Sequence, residues 1–254
     1  MTNYIRALAV LFFLLVVSAC EDSGSGGNQN PQDSTQGSRA RFALIGDYLY
    51  TISGSWLQLF DITSPESPNP WARMQLEWDI ETLFPYENYL LIGSRSGMHV
   101  LENSDPANPR YVTEFDHARS CDPVVAEGDI AFVTLRSSVD CWGEGASINQ
   151  LDVIDIADIT DPALIRSYVM QSPSGLAVDG GTLFICDSIA GLKVFDATDP
   201  AAITVLDVQA DVDCYDVIAR DSRLYVSEED QLLQFDYSTF PMTLISSISV
   251  TTDS

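Results

Sequence analysis

Cysteine is the side chain with the most chemistry to offer in this sequence, and its spacing narrows that chemistry at once. Five are present: Cys20, Cys121, Cys141, Cys186 and Cys214. Structural zinc sites bring cysteines in close pairs. Here the nearest neighbours, Cys121 and Cys141, stand 20 residues apart, and no Cys-x-x-Cys redox motif occurs. The last four cysteines therefore suit two disulfides in an oxidising compartment, with three pairings open to them. Nucleophilic catalysis finds little support. The only histidines are His99 and His117. His117 lies near Ser120 and Asp122, but a triad is a geometry and not a sequence neighbourhood. Gly93-Ser94-Arg95-Ser96-Gly97 has the glycines of a nucleophile elbow with arginine at its centre. No phosphate-binding glycine loop and no His-Glu-x-x-His motif occurs. Carboxylates are abundant, 37 against 12 basic residues. Several converging Asp or Glu side chains could hold a hard cation such as Ca2+, although no Asp-x-Asp-x-Asp-Gly loop is present.

The amino terminus supplies the compartment. Arg6 gives a short positive start, residues 7–17 are an unbroken apolar run, and Leu15-Val16-Val17-Ser18-Ala19 leads into Cys20. A run of 11 is too short for a stable membrane span and suits an export signal. The Val17-Ser18-Ala19-Cys20 segment resembles the bacterial lipobox. That resemblance implies cleavage before Cys20, diacylglyceryl transfer to its sulfur and acylation, by palmitate or a similar chain, of the new amino terminus. Two or three acyl chains hold a protein firmly where one is marginal. The expected organisation is a lipoprotein signal peptide (1–19), a lipidated Cys20 with a flexible linker (20–39), and a folded body (40–254). The linker is polar and offers nothing to bury. A net charge of −25 argues against nucleic acid or anionic headgroups as partners.

The body repeats itself. Five segments share an apolar-aromatic-apolar triplet, a turn, and a strand ending in an acid: Tyr48-Leu49-Tyr50 with Leu57 to Asp61, Tyr89-Leu90-Leu91 with Met98 to Glu102, Ala131-Phe132-Val133 with Leu151 to Asp155, Leu183-Phe184-Ile185 with Leu192 to Asp196, and Leu224-Tyr225-Val226 with Leu232 to Asp236. Phe60, Leu101, Ile154, Phe195 and Phe235 recur at intervals of 41, 53, 41 and 40 residues. An insertion of about 12 residues near 137–148 accounts for the long interval. Each unit alternates with a period of two between Gly, Asp and Pro turns, which makes a four-stranded antiparallel meander. Such a sheet cannot bury both faces alone, so neighbours must cover it. The expected fold is all-β: a β-propeller of five four-stranded blades of about 41 residues each, following the signal peptide and tether. The repeated Asp61, Asp155, Asp196 and Asp236 read as turn acceptors, not as a ligand set.

Leu151-Asp152-Val153-Ile154-Asp155-Ile156 and Leu192-Lys193-Val194-Phe195-Asp196 resemble the LVIVD repeat of bacterial propeller lipoproteins. The stretches Ser120 to Val125 and Thr182 to Asp187 are also similar to segments of that family. The sequence departs from the pattern at Glu102, where the repeat has Asp, and at Pro241, which lacks the preceding Asp. The resemblance implies a propeller at the cell envelope and brings no activity with it.

Superposing the repeats places the candidate sites. Cys121 and Cys214 each lie 11 residues before the aromatic or apolar centre of a triplet (Phe132, Tyr225), where one blade hands over to the next. Cys141 and Cys186 lie in or beside loops between second and third strands, which emerge on the same face. The expected disulfides are Cys121–Cys141 and Cys186–Cys214. The crossover rim near the axis should collect Trp78, Asp79 and Glu81 from blade 2, and His117, Arg119 and Asp122 from blade 3. Blades 4 and 5 should add Ser172 and Ser174, and Asp211, Asp213, Tyr215 and Asp216. Trp142, in the insertion, is a candidate interface anchor. These features lead to a membrane-anchored, monomeric envelope lipoprotein, on the outer membrane or cell surface, whose propeller binds a protein or glycan. The alternative is a lactonase-like hydrolase using axial carboxylates and a metal.

Overall fold

In each repeat the alternation of apolar residues closes one hairpin after another, and twenty strands result among the described residues. The structure is a computed structural model, and it describes residues 37–76, 80–116, 123–136 and 148–250. Blade 1 contains β1 (Phe42–Ile45), β2 (Tyr48–Ser53), β3 (Trp56–Asp61) and β4 (Asn69–Gln75). Blade 2 contains β5 (Ile80–Tyr86), β6 (Tyr89–Ser94), β7 (Gly97–Glu102) and β8 (Arg110–Asp116). Blade 3 follows with β9 (Val124–Glu127), β10 (Ile130–Arg136), β11 (Asn149–Asp155) and β12 (Ala163–Val169). Blade 4 has β13 (Leu176–Asp179), β14 (Thr182–Cys186), β15 (Leu192–Asp196) and β16 (Thr204–Gln209). Blade 5 has β17 (Asp216–Arg220), β18 (Arg223–Ser227), β19 (Gln231–Asp236) and β20 (Thr243–Ser249). Each sheet is built from four consecutive strands, so among the described residues no terminal strand is exchanged between the first and last blades. The fold is the expected β-propeller.

The repetition extends to detail. The acid ending the third strand accepts the N–H two residues on in every blade: Asp61 from Thr63, Glu102 from Ser104, Asp155 from Ala157, Asp196 from Thr198 and Asp236 from Ser238. These acids are turn acceptors, and Glu102 does the same work as Asp. The register between third and fourth strands slips once per blade just before that acid, for example between Leu59 and Phe60 and between Val194 and Phe195. Such bulges increase local twist.

Side chains from facing blades fill four seams. Tyr50, Leu57 and Leu59 meet Leu83, Leu90, Ile92 and Leu101. Leu91, Met98 and Val100 meet Val124, Ala131, Val133 and Ile154. Phe132, Leu151 and Val153 meet Leu176, Leu183, Ile185 and Phe195. Phe184, Leu192 and Val194 meet Val217, Leu224, Val226 and Phe235. Burying one such side chain is worth about 1.5–3 kcal/mol, so these seams are the main source of stability. Polar tips are paired across them. Trp71 Nε1 donates to Ala107 O at 2.8 Å, and the Glu127 carboxylate accepts the N–H groups of Gly180 and Gly181 at 2.8 and 2.7 Å. The free face of blade 1 and the free face of blade 5 form no such cluster among the described residues. Phe42 and Leu44 are exposed on the one, Tyr225 and Leu232 on the other.

Candidate functional site

Successive inner strands stand side by side around the axis, and the crossovers that feed them emerge on one face. The Cys186–Cys214 disulfide shows that the loops between second and third strands share this face. Cys186 ends β14, Cys214 precedes β17, and their Cα atoms are 5.4 Å apart. This is one of the two expected pairs. Cys121 and Cys141 lie outside the described residues. The same face carries Asp187, a fully buried carboxylate that accepts the N–H groups of Gln171 and Ser172 at 2.7–3.1 Å. Its charge is answered by Lys193, the only lysine of the chain, at 2.5 Å. A buried carboxylate without its cation would be costly, so this pair fixes the crossover into blade 4.

The chain entering β1 crosses the axis at this same mouth. Ser38 is buried, and its Oγ donates to Asp216 Oδ1 at 3.0 Å and accepts the Leu176 N–H at 2.8 Å. The Arg39 N–H donates to Asp216 Oδ2 at 3.3 Å, the Leu83 N–H to Ala40 O at 3.0 Å, and the Ile52 N–H to Arg41 O at 3.0 Å. Residues 37–41 thus form a strap tied to the inner strands of blades 2, 4 and 5. A Cβ at Gly37 would fall 2.0 Å from Asp216 Oδ2, so a larger residue there would displace that carboxylate from the strap. Sequence places residues 37–39 in the linker; structurally they belong to the body. Burial raises the Asp216 carboxyl above its ordinary range, and the bonds from Val217, Ser38 and Arg39 partly offset this.

Under the strap lies a cavity of about 120 Å³ lined by Arg39, Arg41, Glu81, Thr82, Pro123, Arg136 and Ser174. Its walls are held by the Thr134 hydroxyl, which donates to Ser174 O at 2.7 Å, and by the Thr134 N–H on Pro123 O. Of the residues expected at the rim, Glu81 and Ser174 line this cavity, and Glu81 takes an ion pair from Arg95 Nε at 3.4 Å. Asp216 is committed to the strap. Asp213 donates its N–H to Glu228, and Tyr215 stands half-exposed with its carbonyl on the Gly175 N–H; neither lines the cavity. Trp78, Asp79, His117, Arg119, Asp122 and Trp142 lie outside the described residues, as does Cys20.

Among the described residues this mouth gathers Arg39, Arg41 and Arg136 around Glu81, while Asp79 and Asp122, two more of the acids expected at the rim, lie outside the described residues. Among the described residues no three His, Cys, Asp or Glu side chains gather as metal ligands. Arg39 and Arg41 were missed because repeat superposition starts at the first strand and ignores what precedes it, and Arg136, at the end of β10, because no spacing rule links it to them. A signal was present: two arginines stand two apart immediately before β1 in a chain with three acids for every base.

Residues 146–170 match the LVIVD repeat, over the third and fourth strands of blade 3. That match places one LVIVD repeat in blade 3 of a five-bladed β-propeller. No curated protein is similar to the chain in sequence. Among solved structures, the chain is similar to a putative 6-phosphogluconolactonase from Bacteroides fragilis at TM-score 0.63 and 14% identity, covering 82% of this chain and 69% of that one. A periplasmic gluconolactonase from Pseudomonas aeruginosa gives 0.62 and 14%, covering 81% and 68%. A functionally unknown protein from Desulfotomaculum acetoxidans gives 0.63 and 13%, covering 82% and 69%. Likeness at this identity is a likeness of fold.

Proposed function

We propose that this protein is a lipid-anchored envelope propeller that binds a protein or glycan partner through its crossover face. The observation carrying this reading is the strapped, arginine-lined cavity at the axial mouth, a preformed polar recess on an otherwise strongly acidic molecule. The anchor is the Cys20 lipid, on the outer membrane or cell surface, and the propeller works as a monomer that ignores nucleic acid. The strap, residues 37–41, lies on this binding face.

The test is site-specific photo-crosslinking of the full chain in a bacterial membrane, with the probe at Tyr215 on the crossover face or at Asn88 on the opposite face. One defined envelope component crosslinked from Tyr215 and not from Asn88 is the expected result. Equal or absent capture from both positions would sink the reading. Metabolic labelling with an alkyne palmitate, expected on the wild-type chain and lost in Cys20→Ala, checks the anchor in the same cells.

A further inference from the structure

We infer that the axial cavity is an oxyanion site, which recognises the carboxylate of an acidic sugar or the phosphate of a sugar ester. The inference rests on the binding reading above and names the chemistry of what is bound. The first argument is charge. The chain carries 12 basic residues against 37 acidic ones, yet Arg39, Arg41 and Arg136 line one small recess and Arg95 stands behind it on Glu81. Among the described residues Glu81 is the only carboxylate in the lining, so three of the 12 basic side chains of the chain meet there around one acid. A locally positive recess on an acidic body selects anions that the surrounding surface repels, and long-range repulsion admits only small or locally concentrated charge.

The second argument is presentation. Arg39 and Arg41 are exposed, and among the described residues neither guanidinium has an ion-pair partner. Their backbone is nonetheless fixed, by Ser38 on Asp216 and Leu176 and by Ala40 and Arg41 on Leu83 and Ile52. Guanidinium forks held this way can take an oxyanion with two parallel hydrogen bonds, and little ordering is left to be done on binding. Thr82 and Ser174 put further polar groups in the wall.

The third argument is size. A volume of about 120 Å³ holds about four waters at ~30 Å³ each. It accepts one carboxylate or phosphate group and leaves the rest of a sugar outside, against the rim. The site therefore reads the charged group, and the rim reads what carries it.

The test titrates the full chain, in detergent micelles at low ionic strength, with galacturonate, glucose 6-phosphate and neutral glucose by calorimetry. Saturable binding of galacturonate, glucose 6-phosphate or both, with none of glucose, is expected, and the stronger anion identifies the source. Arg39→Ala/Arg41→Ala should weaken it tenfold or more, Arg39→Lys/Arg41→Lys should restore part of it, and Arg220→Ala, on the opposite face, should leave it unchanged. Both strap arginines are exposed, so the double variant should keep the wild-type melting temperature. No saturable anion binding, equal binding of glucose, or undiminished binding by the double alanine variant would overturn the inference. If that happens while Tyr215 still captures its partner, the oxyanion site fails and the binding reading stands.

Discussion

Phe184 and Tyr225 occupy the same place in successive blades, at the centre of the second strand, facing forward. Phe184 is fully buried against blade 5, whereas Tyr225 is 45% exposed. The rear faces repeat the contrast. Leu83, Val124, Leu176 and Val217 are buried at the start of their inner strands, while Phe42, their counterpart in blade 1, is 61% exposed. Among the described residues four seams are filled and the fifth is not. The sequence marks the difference lightly. Gln234 stands where Leu59, Val100, Val153 and Val194 pack in the other blades, and Thr51 where Ile92, Val133, Ile185 and Val226 do. Terminal units of repeat proteins carry more polar outer faces for the same reason: nothing covers them. What joins the ends is the strap, with Ser38 on Asp216, a polar latch in place of an apolar seam.

The comparison can be broken most directly by truncating matched residues. Phe184→Ala should cost about 3–5 kcal/mol, while Tyr225→Ala should cost less than about 1 kcal/mol, since the one leaves a cavity and the other does not. Chemical denaturation of both variants decides it, and equal losses would mean that the fifth seam closes in solution. A smaller effect is expected from Cys214→Ser. The bridge spans 28 residues, and closing a loop of that length is worth about 3–4 kcal/mol in the chain-entropy account, often less in practice. Thermal melting of the oxidised wild type against the variant measures it, and an unchanged midpoint would show that the disulfide adds nothing to the blade 4–5 seam.

The smallest effect is in the response to acid. The turn carboxylates Asp61, Asp196 and Asp236 lie below their ordinary range because Thr63, Thr198 and Ser238 donate to them, and Glu102 is held at about 2 by Ser104 and then Arg110. Groups lowered on folding stabilise the native state above their unfolded values and lose that contribution as pH falls, between 4.5 and about 2 for Glu102. Asp216 is raised by burial, so its protonation favours the folded state and opposes that loss. Stability measured by urea unfolding from pH 6 to pH 2 should fall, and should fall more steeply in Asp216→Asn. A shallower fall in the variant would contradict the assignment of Asp216 as a desolvated carboxylate.

Much of this architecture is legible from the chain because it is periodic. The intervals between Phe60, Leu101, Ile154, Phe195 and Phe235 give the blades, and alignment on them places Cys186 opposite Cys214 and makes Asp61 and its counterparts turn acceptors. The site is less legible, for two physical reasons. Arg39 and Arg41 precede the first repeat, in a polar stretch whose composition suits a linker, and only the buried Ser38 ties it to the body. Arg136 reaches the same cavity from blade 3, and no spacing rule links it to them. The open seam is written only in single polar substitutions, Thr51 and Gln234, which a pattern search reads as ordinary variation.

The strap also determines how the molecule bears load. Tension arriving along the chain from residue 36 enters at the axis, where Ser38, Arg39 and Ala40 divide it among the inner strands of blades 2, 4 and 5. Attachment at an outer strand would let the same force unzip one hairpin at a time. Held at the hub, the wheel must yield at several bonds together, and the first to part would be the latch between Ser38 and Asp216, before any blade unravels.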